Sequence, residues 1–97
     1  MDKIERLKIF CLVAEKQSFA QVANLLNLPR SSITYAVQSL EKEYEVLLLN
    51  RTTRKVNLTN DGVLFYQEVR QLIIQSEELN KFKLQNREDV GQIKIGL

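Results

Sequence analysis

Hydrophobic positions in the first half of the chain recur at helical spacing, with two interruptions. Ile4, Leu7, Phe10, Cys11 and Ala14 lie three and four apart, one face of a first helix over residues 4–16. Ser18 stands three residues before Gln21, the spacing at which each side chain reaches the other's backbone N–H at a helix start. Phe19, Val22, Ala23 and Leu26 then give a short second helix its apolar side. That helix is expected to end at Asn27-Leu28-Pro29, because proline disfavours helical geometry in the residue before it. Pro29 itself lacks an N–H and has a φ suited to a helix start, so it is expected at the first position of a third helix running to about residue 44. At ~100° per residue, Ile33, Val37, Leu40 and Tyr44 gather on one side of this helix, whereas Ser31, Thr34, Tyr35 and Gln38 gather on nearly the opposite side.

The period then changes to two. Lys55, Val56, Asn57 and Leu58 alternate after an apolar run, so a strand–turn–strand hairpin is expected, its turn holding Arg51, Thr52, Thr53 and Arg54 without the Asn-Gly pair of a two-residue turn. Thr59 is placed to cap a fourth helix, with Asp61 favouring the positive end of its dipole. From residue 60 to about residue 86 there is no proline, and the only glycine, Gly62, falls in the first turn, so this helix spans roughly 40 Å. Phe65, Val69, Leu72 and Leu79, with Ser76 in the heptad gap, repeat at four–three spacing, and Tyr66 and Ile73 widen the stripe. Its first half is expected to pack on the chain's own domain, and Leu79 and Phe82 to meet another chain. The final "EDVGQIKIGL" alternates Ile93, Lys94 and Ile95 after a glycine, the pattern of an opening strand.

Composition narrows the function. Ninety-seven residues, 44% hydrophobic and 27% charged, with three glycines and one proline, suit one modest helical core and not a large enclosed active site. No apolar run approaches the ~20 residues that cross a bilayer, and "MDKIERL" lacks a secretion signal's long apolar stretch, so no membrane partner and a cytoplasmic location are expected. Cys11 lies among Ile9, Phe10, Leu12 and Val13, a core position more than a redox one. With no histidine and one cysteine, neither a metal site nor another cofactor is expected, and an enzyme is disfavoured. The net charge is only +2, but its distribution is uneven. Residues 17–40 contain no Asp or Glu, and residues 46–60 hold Arg51, Arg54 and Lys55, again without an acid.

Helix, turn, helix, with the second helix showing a compact polar face, is the geometry that enters the major groove of DNA, N-terminal residues first. Short hydroxyls and an amide bond base edges or phosphates, arginine binds guanine O6 and N7 bidentately, and a carboxylate there would repel the backbone. Arg30, Ser31, Thr34, Tyr35 and Gln38 are therefore the expected base contacts, and Ser18, Ser32, Arg51, Thr53, Arg54 and Lys55 the expected backbone contacts. Arg51 has an equal second reading, bonding the carbonyls that end the third helix. Glu41, Glu43 and Glu45 should tilt away from the duplex. For a pairing of two copies, the expected interface is Phe65, Val69, Leu72, Ile73, Ser76, Leu79 and Phe82. A rival reading is a helical protein-interaction module pairing through the long helix; it accounts for the stripe but not for the missing carboxylates.

The run "SFAQVANLLNLPRSSITYAVQSLEKEYEVLLLNRTTRKVNLTNDG" resembles the N-terminal winged helix-turn-helix of LysR-type bacterial transcriptional regulators. Ser18-Phe19 with Ala23 and Leu26, the "SSITYAVQSLE" helix ending in Leu40-Glu41, Arg51, the Leu58-Thr59-x-x-Gly62 start and the "GQIKIG" tail carry the likeness. The resemblance implies a mainly α fold: a winged helix-turn-helix of three helices plus a two-stranded wing over 1–59, a linker and dimerisation helix over 60–88, and at 89–97 the start of an effector-binding domain. It also implies a nucleoid-associated homodimer on an inverted-repeat promoter site in double-stranded DNA. A tetramer is left open, and a small-molecule effector acts only through the C-terminal domain. Arg30 stands where the family often has Gln, Ser31 where it often has Pro and Thr34 where Ser is usual, so the target sequence is not inherited. Tyr44-Glu45 replaces a usual Leu-Gly and Leu49-Asn50-Arg51 a Phe-x-Arg. A left-handed Glu45 would cost roughly 1 kcal/mol, so either the third helix runs on or the strain is tolerated.

Overall fold

The computed structural model describes residues 1–51 and 55–88, with side chains described as far as residue 81. Its elements are α1 (Lys3–Lys16), α2 (Phe19–Leu26), α3 (Arg30–Tyr44), β1 (Leu49–Arg51), β2 (Val56–Leu58) and α4 (Asn60–Glu88). The helices start and stop for local reasons. At α1 the Asp2 carboxylate accepts from the Glu5 N–H at 2.8 Å while the Asp2 N–H donates to Glu5, so the full reciprocal cap expected at α2 is found one helix earlier. At α2 the Ser18 hydroxyl accepts from the Gln21 N–H at 3.1 Å. Pro29 stands one position before its expected place, as the N-cap of α3, with its ψ of 147° still extended.

Three helices end in left-handed residues that are not glycine: Gln17, Asn27 and Glu45. After α2 and α3 the chain closes back, Leu28 N–H donating to Ala23 O at 3.0 Å and Val46 N–H to Glu41 O at 3.1 Å, which satisfies carbonyls the helix leaves open. The alternative at Glu45 is thereby decided. The third helix stops at Tyr44, and Glu45 takes φ 53° and ψ 46° with the strain retained.

The core forms where α1 and α3 cross, with α2 and the first half of α4 closing it. Phe10, Val13, Val22, Ile33, Val37, Leu40, Leu48 and Leu49 are fully enclosed. Phe10 meets Phe65 edge-on at 5.4 Å, so α4 docks through aromatic contact with α1. Tyr44, expected on the apolar side, stays largely exposed as a cover: its ring lies edge-on to Phe65 at 5.1 Å, with Lys3 Nζ 5.0 Å above it. The hairpin is antiparallel as expected, with Leu49 opposite Leu58 and Arg51 opposite Val56.

Val69 is only 4% exposed, and Phe65, Tyr66 and Ile73 pack partly against the same core. As expected for the first half of the stripe, Val69 packs within its own domain and Phe65 and Ile73 partly so, because the stripe faces α1 before it clears the body. Leu72 and Leu79 remain exposed, at 46% and 67%. The Phe82 side chain and residues 89–97 lie outside the described residues, and so do Thr53 and Arg54.

Candidate functional site

The outward face of α3 follows from its inward one. Ile33, Ala36, Val37 and Leu40 are buried, which turns Arg30, Ser31, Tyr35 and Gln38 to the surface and leaves Ser32 and Thr34 half-buried at the margin. Tyr35, 60% exposed, is the most prominent of these side chains. Among the described residues no side chain caps the first turn of α3, whose Pro29, Arg30 and Ser31 are exposed at the positive end of the helix dipole. All five expected base-reading residues thus share one helix face, which carries a cation at its start.

The expected backbone contacts are less uniform. Ser18 is half-buried and already accepts a bond as the cap of α2, keeping its own O–H to give. Lys55 is exposed immediately before β2. Alternation along β1 puts Arg51 on the same side as buried Leu49, and it remains exposed there. Its guanidinium carbon lies 4.9 Å from the centre of the Phe19 ring, and its Nη2 lies 3.8 Å from Glu41 Oε1. Its partner is therefore a carboxylate, not the helix-end carbonyls of the second reading.

Glu41 is the residue that sequence reasoning missed. Its Oε2 accepts from the Leu48 N–H at 2.9 Å and the Leu49 N–H at 3.3 Å, seven and eight residues along the chain. The other flank of the same turn is held by Thr59, whose hydroxyl donates to Leu47 O at 2.6 Å and accepts from the Gly62 N–H at 2.8 Å. Gly62 is needed there: a Cβ would sit 2.1 Å from Leu48 O. Gln17 Nε2 donates to Asn57 Oδ1 at 3.2 Å, tying the turn before α2 to β2.

Two further carboxylates, Glu43 and Glu15, engage α1 and α4. Glu43 accepts from Lys3 at 2.6 Å, and that ammonium, with Arg6 close by, holds the carboxyl below its usual range. Glu15 accepts from Tyr66 at 2.7 Å and from Arg70 at 3.2 Å. Among the described residues no group of three or more His, Cys, Asp or Glu side chains is placed to hold a metal ion, and no helix is long and apolar enough to cross a membrane.

Residues 4–63 match the model of a family described as bacterial regulatory helix-turn-helix protein, lysR family. The chain is 35% identical over 98 residues to the uncharacterized HTH-type transcriptional regulator YhjC of Escherichia coli strain K12, across 100% of this chain and 33% of that protein. To the HTH-type transcriptional activator AaeR of the same strain it is 34% identical, across 99% of this chain and 31% of that one. The chain therefore spans about a third of the length of these relatives. In structure it is similar to the BenM DNA-binding domain in complex with catB site 1 DNA, with a TM-score of 0.83 and 29% identity over 90% of this chain and 96% of that one. The CbnR DNA-binding domain in its DNA complex gives a TM-score of 0.82 at 29% identity, covering 90% of this chain and 99% of that one.

Proposed function

From the premise that this chain belongs to the LysR family of bacterial regulatory helix-turn-helix proteins, we propose that it binds double-stranded DNA sequence-specifically as the reading head of a transcriptional regulator. The observation that carries this is the α3 face: Arg30, Ser31, Tyr35 and Gln38 exposed together, with Thr34 at the margin and no carboxylate on the helix before Glu41. In this reading α3 enters the major groove by its N-terminal turns. Arg30 pairs with a guanine, and the hydroxyls and the Gln38 amide bond other base edges. Ser18, Ser32 and Lys55 contact phosphates, as does the 52–54 segment with Thr53 and Arg54 by its sequence alone.

The exposed Leu72 and Leu79, with Ser76 between them, pair two copies through α4. The two α3 helices then enter successive major grooves, so the site is an inverted repeat with half-sites spaced by ~34 Å or a multiple of it. Enough of the relatives' length lies beyond this chain for an effector-binding part in the whole regulator. The cytoplasm is the compartment in which such a protein meets its DNA.

The test is selection of bound sequences from random duplexes at several salt concentrations. An enriched dyad whose binding weakens linearly in log salt is the expected result. Binding without enrichment of any sequence removes the base-reading role of α3.

A further inference from the structure

We propose that Glu41 and Arg51, with the Phe19 ring as the plate on which the Arg51 guanidinium lies, form a brace that sets the wing's angle against α3, making both residues determinants of sequence discrimination that act without a contact to DNA. The inference rests on the DNA-binding reading above and concerns what holds its two halves in register.

The hairpin needs such a brace. Two three-residue strands are marginal as a free unit, so their orientation must come from attachments to the body. Glu41 supplies two at the root of β1, through the Leu48 and Leu49 N–H groups. At the far end of β1, Arg51 reaches back to the same carboxylate at 3.8 Å and lays its guanidinium over Phe19, the first residue of α2, at 4.9 Å. One carboxylate thus grips both ends of the strand. The Glu41 side chain is only 14% exposed and that of Arg51 34%, so the pair is less screened than an ion pair on open surface.

Glu41 also sits on the same rigid helix as the base-reading residues, eleven positions after Arg30, or about 16 Å along the axis. Wing and reading face are therefore referred to one rod. A phosphate drawn to Arg51 would compete with the Glu41 carboxylate for the guanidinium charge. A wing freed from the brace keeps its positive charges, so general affinity for DNA persists. What falls is the population in which groove and backbone contacts are made together, and only the specific complex needs both.

The experiment compares this chain with its Arg51→Gln, Arg51→Lys, Glu41→Gln and doubly substituted Glu41→Gln/Arg51→Gln variants. Thermal melts identify which are folded. Affinity is measured for the selected site and for a scrambled duplex across a salt series. Arg51→Gln and Glu41→Gln are each expected to reduce the preference for the selected site about tenfold, the double variant no more than either alone. The salt slope of Arg51→Gln on scrambled DNA stays unchanged. Arg51→Lys keeps the charge but not the flat guanidinium, so it loses preference as well, and it serves if Arg51→Gln does not fold. The proposal is overturned if Arg51→Gln lowers the slope by about one unit and weakens all duplexes alike, if Arg51→Lys keeps full preference, or if the losses simply add. A parent chain with no preference among duplexes overturns the DNA-binding reading instead, and this inference with it.

Discussion

Arg30 and Cys11 show how differently two side chains depend on their surroundings. Arg30 is exposed at the first turn of α3, and among the described residues no hydrogen bond or ion pair engages its guanidinium. Arg30→Ala is expected to cost about 1–3 kcal/mol at one base position of the selected site and little elsewhere, which competition among singly substituted duplexes measures. Equal weakening on every duplex would make Arg30 a phosphate contact. Cys11 is closed in the core, where burial, reinforced by the negative charge of Glu15, pushes its thiol from 9.0 up to about 11. The protonated form is the one the fold prefers, so this contribution to stability is complete below about pH 9 and is lost as pH rises towards 11. Denaturant unfolding should show a loss of about 2 kcal/mol across that window, absent from the same comparison in Cys11→Ala. An identical pH profile in the two proteins would contradict it.

At the scale of elements, endings matter more than beginnings. The starts of α1 and α2 are capped by Asp2 and Ser18 in favourable geometry, whereas α3 ends in a left-handed Glu45 that pays for its backbone conformation. Glu45→Gly is expected to raise stability by up to about 0.5 kcal/mol, the relief of that strain less the added freedom of the unfolded chain, read as a higher denaturant midpoint at constant slope. A lower midpoint would mean that the Glu45 side chain holds the turn through contacts of its own. Gly62 is the opposite case: its backbone is ordinary, and the nearness of Leu48 O makes a side chain impossible without moving α4.

For the whole molecule, the body extends into a long helix, giving a longest dimension of 59 Å against 27 and 20 Å. The first half of α4 closes the core on one side while leaving Leu72 exposed, and the second half carries Leu79 past it. Substituting both by glutamate should leave the folded body intact, since neither side chain is buried. It should convert a dimer to a monomer in sedimentation equilibrium and reduce affinity for an inverted repeat far more than for a single half-site. A dimer that survives would move the pairing surface elsewhere on the chain. A pure interaction module would explain this stripe, but would leave the carboxylate-free face of α3 without a reason.

The sequence by itself determined the order of elements, most of their ends, the hairpin and the composition of the α3 face. These depend on neighbours within a turn or a strand: caps, proline, and periods of 3.6 and two, all written in consecutive residues. It left open whether α3 stops at Glu45, because glutamate in a left-handed position is a small cost that only the following chain makes worthwhile. It named Arg51 without its partner, gave Glu41 no part beyond facing away from DNA, and put Val69 both in the half of the stripe that packs on its own domain and among the pairing residues. Those were decided by packing, in which β1 folds back along α3 and α4 lies across α1, bringing together groups that no periodicity relates. A carboxylate can answer backbone N–H groups seven residues on and a guanidinium ten residues on only after the core has put the strand beside the helix.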